Sequence, residues 1–397
     1  MKKKRLAIIT THPIQYNAPL FKLLTERNQI IVKVFYTWGK TVLENKFDPG
    51  FGKIIEWDIP LLEGYDYEFL ENVSDDKGSH RYRGIINPDI INRIDDFRPD
   101  AVMVFGWSFV SHMKVLRHYS KKIMVIFRGD STLLDKTNYL KEKIRLTTLK
   151  WVYIFIDFAL YVGTNNYNYY KKAGLLDDQL IYAPHAIDNK RFNDNEGVHE
   201  LKAAVLRTDL NIVPDRIVIL FAGKLEEKKN VRSLLIAFEK SGLATKADLV
   251  IVGNGRLEDE LKRDFAGKPG IHFLDFKNQS EMPAIYRMAD VFVLPSTGPG
   301  ETWGLAINEA MACSRAVIVS DKSGGAVDLV DDGVNGYIFR AGNIEDLINK
   351  LCLMAEKTKE DLKGMGKRAR EKIMNFTIDK FCEVTEVLVS KNLIRAK

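Results

Sequence analysis

The sequence predicts an α/β protein of two consecutive doubly wound domains, each a parallel sheet between layers of helices. The chain has 397 residues, which is long for a single hydrophobic core. Short apolar runs alternate with segments of helical periodicity, a pattern typical of parallel sheets. The chain becomes polar near residues 194–198, and the alternation then starts again. We therefore predict domains at 1–195 and 196–375, followed by a C-terminal helix, 376–397, that packs back on the first domain.

In the first domain, apolar runs rich in β-branched residues predict six buried strands. They are Arg5–Thr10, Ile31–Tyr36, Ala101–Phe105, Ile123–Phe127, Phe158–Val162 and Leu180–Ala183. Helical periodicity predicts Ala18–Arg27, Pro88–Phe97, Val110–Tyr119 and Asn166–Ala173. Residues 51–72 are rich in aromatic and turn residues and fit neither pattern.

A helix at Glu200–Thr208 leads into the second domain, which repeats the alternation. Its predicted strands are Ile217–Ala222, Ala247–Val252, Ile271–Leu274, Ala289–Leu294, Ala316–Ser320 and Tyr337–Arg340. Its predicted helices are Val231–Lys240, Leu257–Ala266, Glu281–Met288, one after Gly304, and Asn343–Ala355, and the tail from Lys359 is charged and helical. Parallel strands end at one edge of a sheet, so the loops after them are expected to line an inter-domain cleft.

The composition is that of an ordinary globular protein, with 46% hydrophobic and 28% charged residues. A net charge of +6 suits acidic substrates and anionic lipid, and does not by itself indicate nucleic acid. The three cysteines are widely spaced, which argues against a disulfide framework or a zinc site and favours a reducing compartment. The first apolar run is too short for a signal peptide, and no segment reaches the ~18 apolar residues of a membrane span. A cytoplasmic protein is expected.

The turn and helix after Ala289–Leu294 form the most informative stretch. Glu301 ends a Gly/Pro-rich turn, and Glu309 lies one to two turns into the helix. A helix that starts near Gly304 and Leu305 favours a phosphate, and carboxylates beside it suit hydroxyl groups. Eight helical residues span ~12 Å, the scale of a sugar–pyrophosphate–ribose unit. The alternative is a surface helix with two solvated acids.

A second motif follows Ile217–Ala222, where Gly223 opens a cationic loop before a helix. Lys224 and Lys229 could meet a diphosphate from two sides, each as a mobile point charge. The alternative is a solvated basic turn.

In the chain, the loop with Lys224 and Lys229 comes before the turn and helix with Glu301 and Glu309. The two motifs in this chain order resemble those of the retaining glycosyltransferases of family 4, also called glycosyl transferases group 1. ETWGLAINEAMAC after VFVLPS is similar to the family signature, and the resemblance is strong over 217–340 and weak over 1–190. It implies the GT-B architecture of two Rossmann-like domains. It also implies that Glu301 holds hydroxyls of the donor sugar, that Glu309 holds the ribose, and that a loop at Val252 and a segment at His272 lie near the nucleotide. The implied donor-binding residues are Gly223, Lys224, Lys229, Gly253, Asn254, Phe276, Lys277, Glu301, Thr302, Trp303, Gly304, Leu305 and Glu309.

Two loops of the first domain follow the carboxyl ends of predicted strands, and they are expected to face the same cleft. His12, Gln15 and Asn17 follow the first strand and could either touch substrate or cap the next helix. Relatives often place a His near Phe127, where this chain offers Arg128 and Asp130. Asp130 could take the acceptor proton, or the two could form a structural pair. The predicted catalytic residues are Glu301, Asp130 and His12, with Gln15, Asn17 and Arg128 on the acceptor side.

Residues 141–155 are basic and then aromatic. Trp151, Tyr153 and Phe155 could lie at an anionic membrane surface, or the segment could be a core helix with a solvated basic end. No Asp-x-Asp motif or His/Glu cluster with metal spacing occurs, so no metal and no cofactor is expected.

The resemblance implies transfer of a sugar, with retention, from a nucleotide diphospho-sugar to a saccharide or lipid-linked saccharide acceptor. Bacterial surface polysaccharide or glycolipid assembly is the expected context, at the inner face of the plasma membrane. Two alternatives are an epimerase or phosphorylase on the same architecture, and a non-catalytic, membrane-associated assembly subunit.

Overall fold

The computed structural model describes residues 2–40, 43, 47–48, 50–135 and 138–391. The chain divides into two compact units, each with its own parallel sheet. The first unit comprises Met1–Lys46, Pro60–Pro184 and Ile378–Lys397, and the second comprises Phe47–Ile59 and His185–Thr377. The predicted α/β class is confirmed.

The strands of the described residues are numbered in chain order. They are β1 Arg5–Thr10, β2 Ile31–Tyr36, β3 Phe47–Asp48, β4 Lys53–Ile54, β5 Asp66–Phe69, β6 Ala101–Phe105, β7 Met124–Arg128, β8 Phe158–Tyr161, β9 Leu180–Tyr182, β10 Ile217–Ala222, β11 Ala247–Val252, β12 Ile271–Leu274, β13 Val291–Leu294, β14 Ala316–Ser320 and β15 Gly336–Phe339. The strands that the sequence predicts are confirmed, with ends that differ by at most two residues. β4 and β5 lie in the stretch that fitted neither pattern.

The helices are numbered in the same way. They are α1 Ala18–Arg27, α2 Ile90–Phe97, α3 Val110–Tyr119, α4 Tyr139–Tyr153, α5 Thr164–Lys172, α6 Val198–Asp209, α7 Val231–Ser241, α8 Glu258–Phe265, α9 Met282–Arg287, α10 Leu305–Ala312, α11 Ala326–Leu329, α12 Ile344–Ala355, α13 Lys359–Ile373 and α14 Ile378–Lys391. Within the described ranges, every helix is too short or too polar to cross a bilayer.

In both sheets, the strands on one side of the first strand run in descending chain order and those on the other side in ascending chain order. The first sheet has the order β5-β2-β1-β6-β7-β8-β9, and the second has the order β12-β11-β10-β13-β14-β15. Neighbouring strands in both are parallel, and β10 lies between β11 and β13. Such a reversal opens a crevice at the carboxyl ends of the two strands beside it. In the second sheet, this crevice is flanked by the loops that follow β10 and β13.

The two units divide at residues 184 and 185, before the polar stretch 194–198 where a junction is predicted from the sequence. The residues between these points pack on the second unit. Arg287 donates a hydrogen bond of 2.7 Å to the carbonyl of Phe192, and Asn308 donates one of 3.1 Å to the carbonyl of His185. Because these carbonyls are tied to the second unit, the polar stretch lies inside it.

The C-terminal helix α14 belongs to the first unit, where it packs against α1. The Arg27 guanidinium donates to both carboxylate oxygens of Glu386, at 2.9 Å and 3.0 Å. Phe381 and Leu388 enter the same apolar cluster as Phe21. Helix α14 therefore completes one face of the first sheet.

Two glycines of α13 provide a matched test of packing in the second unit. A methyl group at Gly366 would lie 1.9 Å from the backbone oxygen of Ser314, whereas one at Gly364 would meet only Arg368 Nη1, at 3.6 Å. We expect Gly364→Ala to raise the free energy of unfolding by about 0.5–1 kcal/mol, because alanine favours the helix. Gly366→Ala should lower it by about 1–3 kcal/mol through overpacking. Urea unfolding measures both changes, and equal stabilisation by the two substitutions would contradict the close approach of α13.

Candidate active site

The loops that follow β10 and β13 meet through one ion pair. Lys229 ends a short 3₁₀ turn after β10, and its Nζ lies 2.5 Å from Glu301 Oε2. Ser296 Oγ donates to the same carboxylate oxygen at 2.9 Å. The amide of Thr297 also donates to the carbonyl of Lys228, at 2.9 Å, so the loops are joined by backbone as well. Two motifs about seventy residues apart in sequence therefore form one site, which follows from the adjacency of β10 and β13.

Glu309 lies in helix α10, eight residues after Glu301, and is almost completely buried. Tyr286 Oη donates to Glu309 Oε2 at 2.6 Å. An Arg191 Nη2 atom lies 3.8 Å from the other carboxylate oxygen. Burial disfavours a lone carboxylate, so these partners are what keep Glu309 in place.

Gly304, with φ +95°, is the N-cap residue of α10, and as a glycine it has no side chain to make a capping hydrogen bond. The left-handed backbone at Gly304 favours glycine. Thr302 and Leu305 are half-buried on either side of it. The turn thus brings Thr302, Gly304 and Leu305 beside Glu301.

Trp303 was predicted to bind the donor, and the structure corrects this for its side chain. The indole is 3% exposed, and its Nε1 donates to Asn308 Oδ1 at 2.9 Å. Its ring packs near the rings of His185 and Phe376. The side chain is an anchor in the core of the second unit, because both its apolar surface and its single donor are already used.

The glycine turns after β10 and β11 pack backbone against backbone. Gly253 has φ +136°, and a methyl group there would lie 2.0 Å from the carbonyl oxygen of Gly223. The amide of Leu225 donates to the carbonyl of Asn254 at 2.9 Å. Glycine is required at 253 both by this approach and by its backbone conformation.

Asn254 connects the loop after β11 with the loop after β12 and with the start of α8. Its Oδ1 accepts a hydrogen bond of 2.7 Å from the amide of Phe276, after β12. Its Nδ2 donates to the carboxylates of Glu258 and Asp275, at 2.8 Å and 3.0 Å. The side chain therefore positions the loop of Phe276, while Lys277 beside it pairs with Glu281 at 3.2 Å.

Lys224 is held by a residue that the sequence did not indicate. Its Nζ lies 2.8 Å and 3.0 Å from the two carboxylate oxygens of Asp48. Burial would raise the pKa of Asp48, but the hydrogen bond and charge of Lys224, together with hydrogen bonds from the amides of Gly50 and Phe51, lower that pKa on balance. The Phe276 ring likewise lies 4.8 Å from the ring of Phe51. No local pattern marked Asp48 or Phe51, because their partners are distant in sequence.

In the first unit, His12 lies directly after β1 and is half-buried. Its Nδ1 is 2.9 Å from Thr11 Oγ1, and its ring meets the edge of Trp38 at 5.0 Å. Burial lowers the pKa of His12 to about 4, so the imidazole is neutral at pH 7. Gln15 and Asn17 are half-buried just before α1, and the Asn17 side chain does not cap that helix.

Arg128 was predicted to lie on the acceptor side, and the structure argues against that role. Its guanidinium donates to the carbonyls of Ala183 and Pro184, at 2.8 Å and 3.1 Å, and lies over the ring of Phe381. Burial lowers its pKa to about 10. Arg128 therefore ties β7 to the end of the first unit, because its donors are committed to buried carbonyls. Asp130, two residues on, is half-buried.

The proposed interfacial aromatic face also needs correction. Tyr153 is buried, and its ring lies 5.6 Å from those of Phe127 and Tyr170. Phe155 is half-buried, and Trp151 is exposed. Tyr153 is thus part of the core, because helix α4 turns it toward the sheet.

Among the described residues, no three His, Cys, Asp or Glu side chains come together in a way that could hold a metal ion.

Asn254→Asp should destabilise the second unit in a pH-dependent way. The new carboxylate would face those of Glu258 and Asp275, so its pKa should rise above the unfolded value of about 4. The penalty should be present at pH 7 and vanish as pH falls through the raised pKa. Asn254→Ala, which adds no charge, should show a smaller pH dependence. Urea unfolding at neutral pH and at about pH 4.5 tests this, and a penalty that stays constant would contradict the crowding of carboxylates.

Comparisons with known proteins show what this chain is similar to. Residues 203–372 match the family described as glycosyl transferases group 1. A lipopolysaccharide 1,2-N-acetylglucosaminetransferase of Salmonella typhimurium is 34% identical over 143 residues, which are 33% of this chain and 37% of that protein. An N,N'-diacetylbacillosaminyl-diphospho-undecaprenol α-1,3-N-acetylgalactosaminyltransferase of Campylobacter jejuni is 27% identical over 221 residues, 55% of this chain and 56% of that one. The chain thus matches between about a third and just over half of these relatives' length.

A protein of Anabaena, solved in complex with UDP and glucose, has a similar fold along nearly the whole chain. Its TM-score is 0.68 at 16% identity, with 97% of this chain and 99% of that one covered. This likeness shows the fold, the GT-B architecture of two Rossmann-like domains. Residues 203–372 of this chain therefore match the glycosyl transferases group 1 family, and the fold is in keeping with that match.

Proposed function

We propose that this protein is a retaining glycosyltransferase of family 4 that moves a sugar from a nucleotide diphospho-sugar to an acceptor hydroxyl. The observation that carries the proposal is the contact between Lys229 and Glu301 at the reversal point of the second sheet. A cation for a phosphate and an anion for hydroxyls lie side by side there. That order matches a donor in which the sugar is bonded directly to the diphosphate.

The remaining donor contacts are part of the same proposal. Lys224 and Lys229 are proposed to bind the diphosphate, with the N-terminus of α10 at Gly304 and Leu305 as a further anion contact. Glu301 is proposed to hold hydroxyls of the sugar, and Glu309 those of the ribose. Phe276 and Lys277 are proposed to lie beside the base, since Asn254 positions their loop.

In the reaction, the bond between the anomeric carbon and the diphosphate oxygen breaks, and a bond from the acceptor oxygen to that carbon forms on the same face. The acceptor hydroxyl gives its proton to Asp130, the proposed base, and the diphosphate leaves with the electron pair of the broken bond and gains a negative charge. Lysines and backbone N–H groups that stabilise this charge would supply most of the rate enhancement. His12 and Asp130 are the proposed catalytic residues of the first unit, with Gln15 and Asn17 as acceptor contacts. A neutral His12 can accept a hydrogen bond at pH 7.

We propose that the transfer needs no metal ion, because two lysines can neutralise the leaving diphosphate. We therefore expect turnover to be unchanged in EDTA, and a loss of turnover in EDTA that Mg²⁺ or Mn²⁺ restores would contradict this.

The acceptor is proposed to be a saccharide carried on a lipid, in surface polysaccharide or glycolipid assembly at the cytoplasmic face of the membrane. The name of the Campylobacter relative describes an undecaprenol-linked acceptor. In helix α4, the exposed residues Leu140, Ile144 and Trp151, with Ile154 just beyond its end, follow one helical face. The exposed Lys141, Lys143 and Lys150 lie beside this stripe. An apolar stripe flanked by lysines suits the surface of an anionic bilayer.

The two glutamates should respond differently to substitution. Glu309→Gln should weaken binding of the nucleotide diphosphate itself, because the ribose loses its acceptor. Glu301→Gln should leave that affinity unchanged or slightly higher, since Lys229 is released, while turnover drops steeply. Calorimetry with UDP, GDP and ADP, paired with turnover of the corresponding glucose donors, measures both. Glu227→Gln removes an exposed acid from the same edge and is the charge control.

A reversed pattern, with nucleotide affinity lost in Glu301→Gln alone, would exchange the two assignments. Release of free nucleotide diphosphate only when a saccharide acceptor is present would separate a transferase from an epimerase or a phosphorylase. A protein that binds none of the three nucleotides would fit the non-catalytic assembly subunit instead.

The stripe on α4 should govern membrane binding. Replacing Leu140, Ile144 and Ile154 by Ser should weaken binding to phosphatidylglycerol-containing vesicles by roughly tenfold or more, because exposed apolar surface is lost. Stability should hardly change, since all three side chains are exposed. Leu201→Ser with Val205→Ser, two exposed apolar residues of α6, is the matched control. Vesicle sedimentation at low and high salt measures the effect. If the α4 variant binds the vesicles as strongly as the α6 control, the membrane contact does not lie on α4.

A further inference from the structure

One segment of the second unit is not explained by the proposed chemistry. Asp48 and residues 50–58, here called the strap, precede the rest of that unit by more than a hundred residues in sequence. The strap includes the antiparallel pair β3 and β4. It packs on two residues of the proposed donor site, Lys224 and Phe276.

The C-terminal end of the strap, at Glu56 and Asp58, is attached by hydrogen bonds to residues outside the proposed donor site. Asn278 donates to the carbonyl of Glu56 at 2.6 Å, and Asp58 accepts from the amide and hydroxyl of Ser280. Trp57 adds its ring to the side of Phe276, with centroids 6.2 Å apart. These contacts place the strap on the loop after β12.

The near end reaches the lysine proposed to bind the diphosphate. Asp48 accepts two hydrogen bonds from Lys224, and its Oδ1 also accepts from the amides of Gly50 and Phe51, at 2.7 Å and 3.2 Å. Lys224 Nζ lies 4.9 Å from the centroid of the Phe51 ring. Gly50 allows this approach, since a methyl group there would lie 2.6 Å from Lys224 Nζ.

A carboxylate and an aromatic ring are thus found where a diphosphate and a base are proposed to bind. We infer that the strap is an autoinhibitory element, in which Asp48 occupies Lys224 and Phe51 covers Phe276 until a nucleotide diphosphate displaces them. This inference rests on the proposed function, because it needs Lys224 to be a phosphate ligand. A diphosphate carries more negative charge than one carboxylate, so it competes successfully for the lysine.

Asp48→Asn tests the displacement directly. The amide keeps the size of the side chain but loses the charge that holds Lys224, so we expect affinity for the nucleotide diphosphate to rise about threefold to tenfold. Calorimetry with UDP, GDP and ADP on the full chain measures this. In a Lys224→Ala background, Asp48→Asn should give no gain, because the pair is already broken. Glu226→Gln removes the same charge two residues from Lys224 and should give a smaller gain.

Hydrogen exchange of the unaltered protein gives a second readout. If the nucleotide displaces the strap, the amides of Gly50, Phe51 and Gly52 should exchange faster when it binds. These amides are now bonded to the side chain or carbonyl of Asp48. Slower exchange would mean that the strap closes over the donor, and would overturn the inference.

The outcomes separate the two proposals. If the wild type binds a nucleotide but Asp48→Asn gives no gain, or gives the same gain without Lys224, the strap inference fails and the proposed function stands. If neither protein binds any of the three nucleotides, both proposals fail.

Discussion

The ion pair between Lys229 and Glu301 is the contact on which the candidate site depends. The Glu301 carboxylate is almost buried, and a buried charge is tolerated only when it is paired and hydrogen-bonded. Lys229 and Ser296 meet that requirement from two directions. The pair therefore fixes the loop after β13 against the loop after β10. Glu309 lies in helix α10, which follows the loop after β13, and its carboxylate contacts Tyr286 and Arg191.

Strands buried on both faces were the most predictable part of the fold. β1, β10 and β14 appear in the sequence as continuous apolar runs, because helices cover both sides of a parallel sheet. Strand β5 was not predicted because it lies at the edge of the first sheet and is not an apolar run. Its Asp66 is exposed to solvent, and its Glu68 forms an ion pair with Lys33. Helix α4 was ambiguous because its exposed face is apolar, the reverse of the usual pattern.

The site was predictable only where the chain marks it locally. Glycine turns and carboxylates after β10 and β13 are visible in sequence, and strand adjacency brings them together. The direction of a single side chain is not visible. Trp303, Arg128 and Tyr153 are residue types that often bind ligands, yet all three side chains point into the protein. Each has a partner there: a side-chain amide oxygen for Trp303, a backbone carbonyl for Arg128 and an aromatic ring for Tyr153. Asp48 lies 176 residues from Lys224 in sequence, so no local pattern could join them.

Both lysines of the site are paired with carboxylates of the protein itself, and the two pairs differ in what holds the anion. Glu301 is nearly buried and receives a second hydrogen bond from Ser296, so it has a partner besides the lysine. Asp48 is more exposed, and its other contacts are the amides of its own turn. Each lysine therefore has a counter-ion in the site, Glu301 for Lys229 and Asp48 for Lys224, and only Asp48 is proposed to be displaced. Under the proposed displacement, the affinity for a diphosphate is lowered by the attraction between Lys224 and Asp48 that has to be given up.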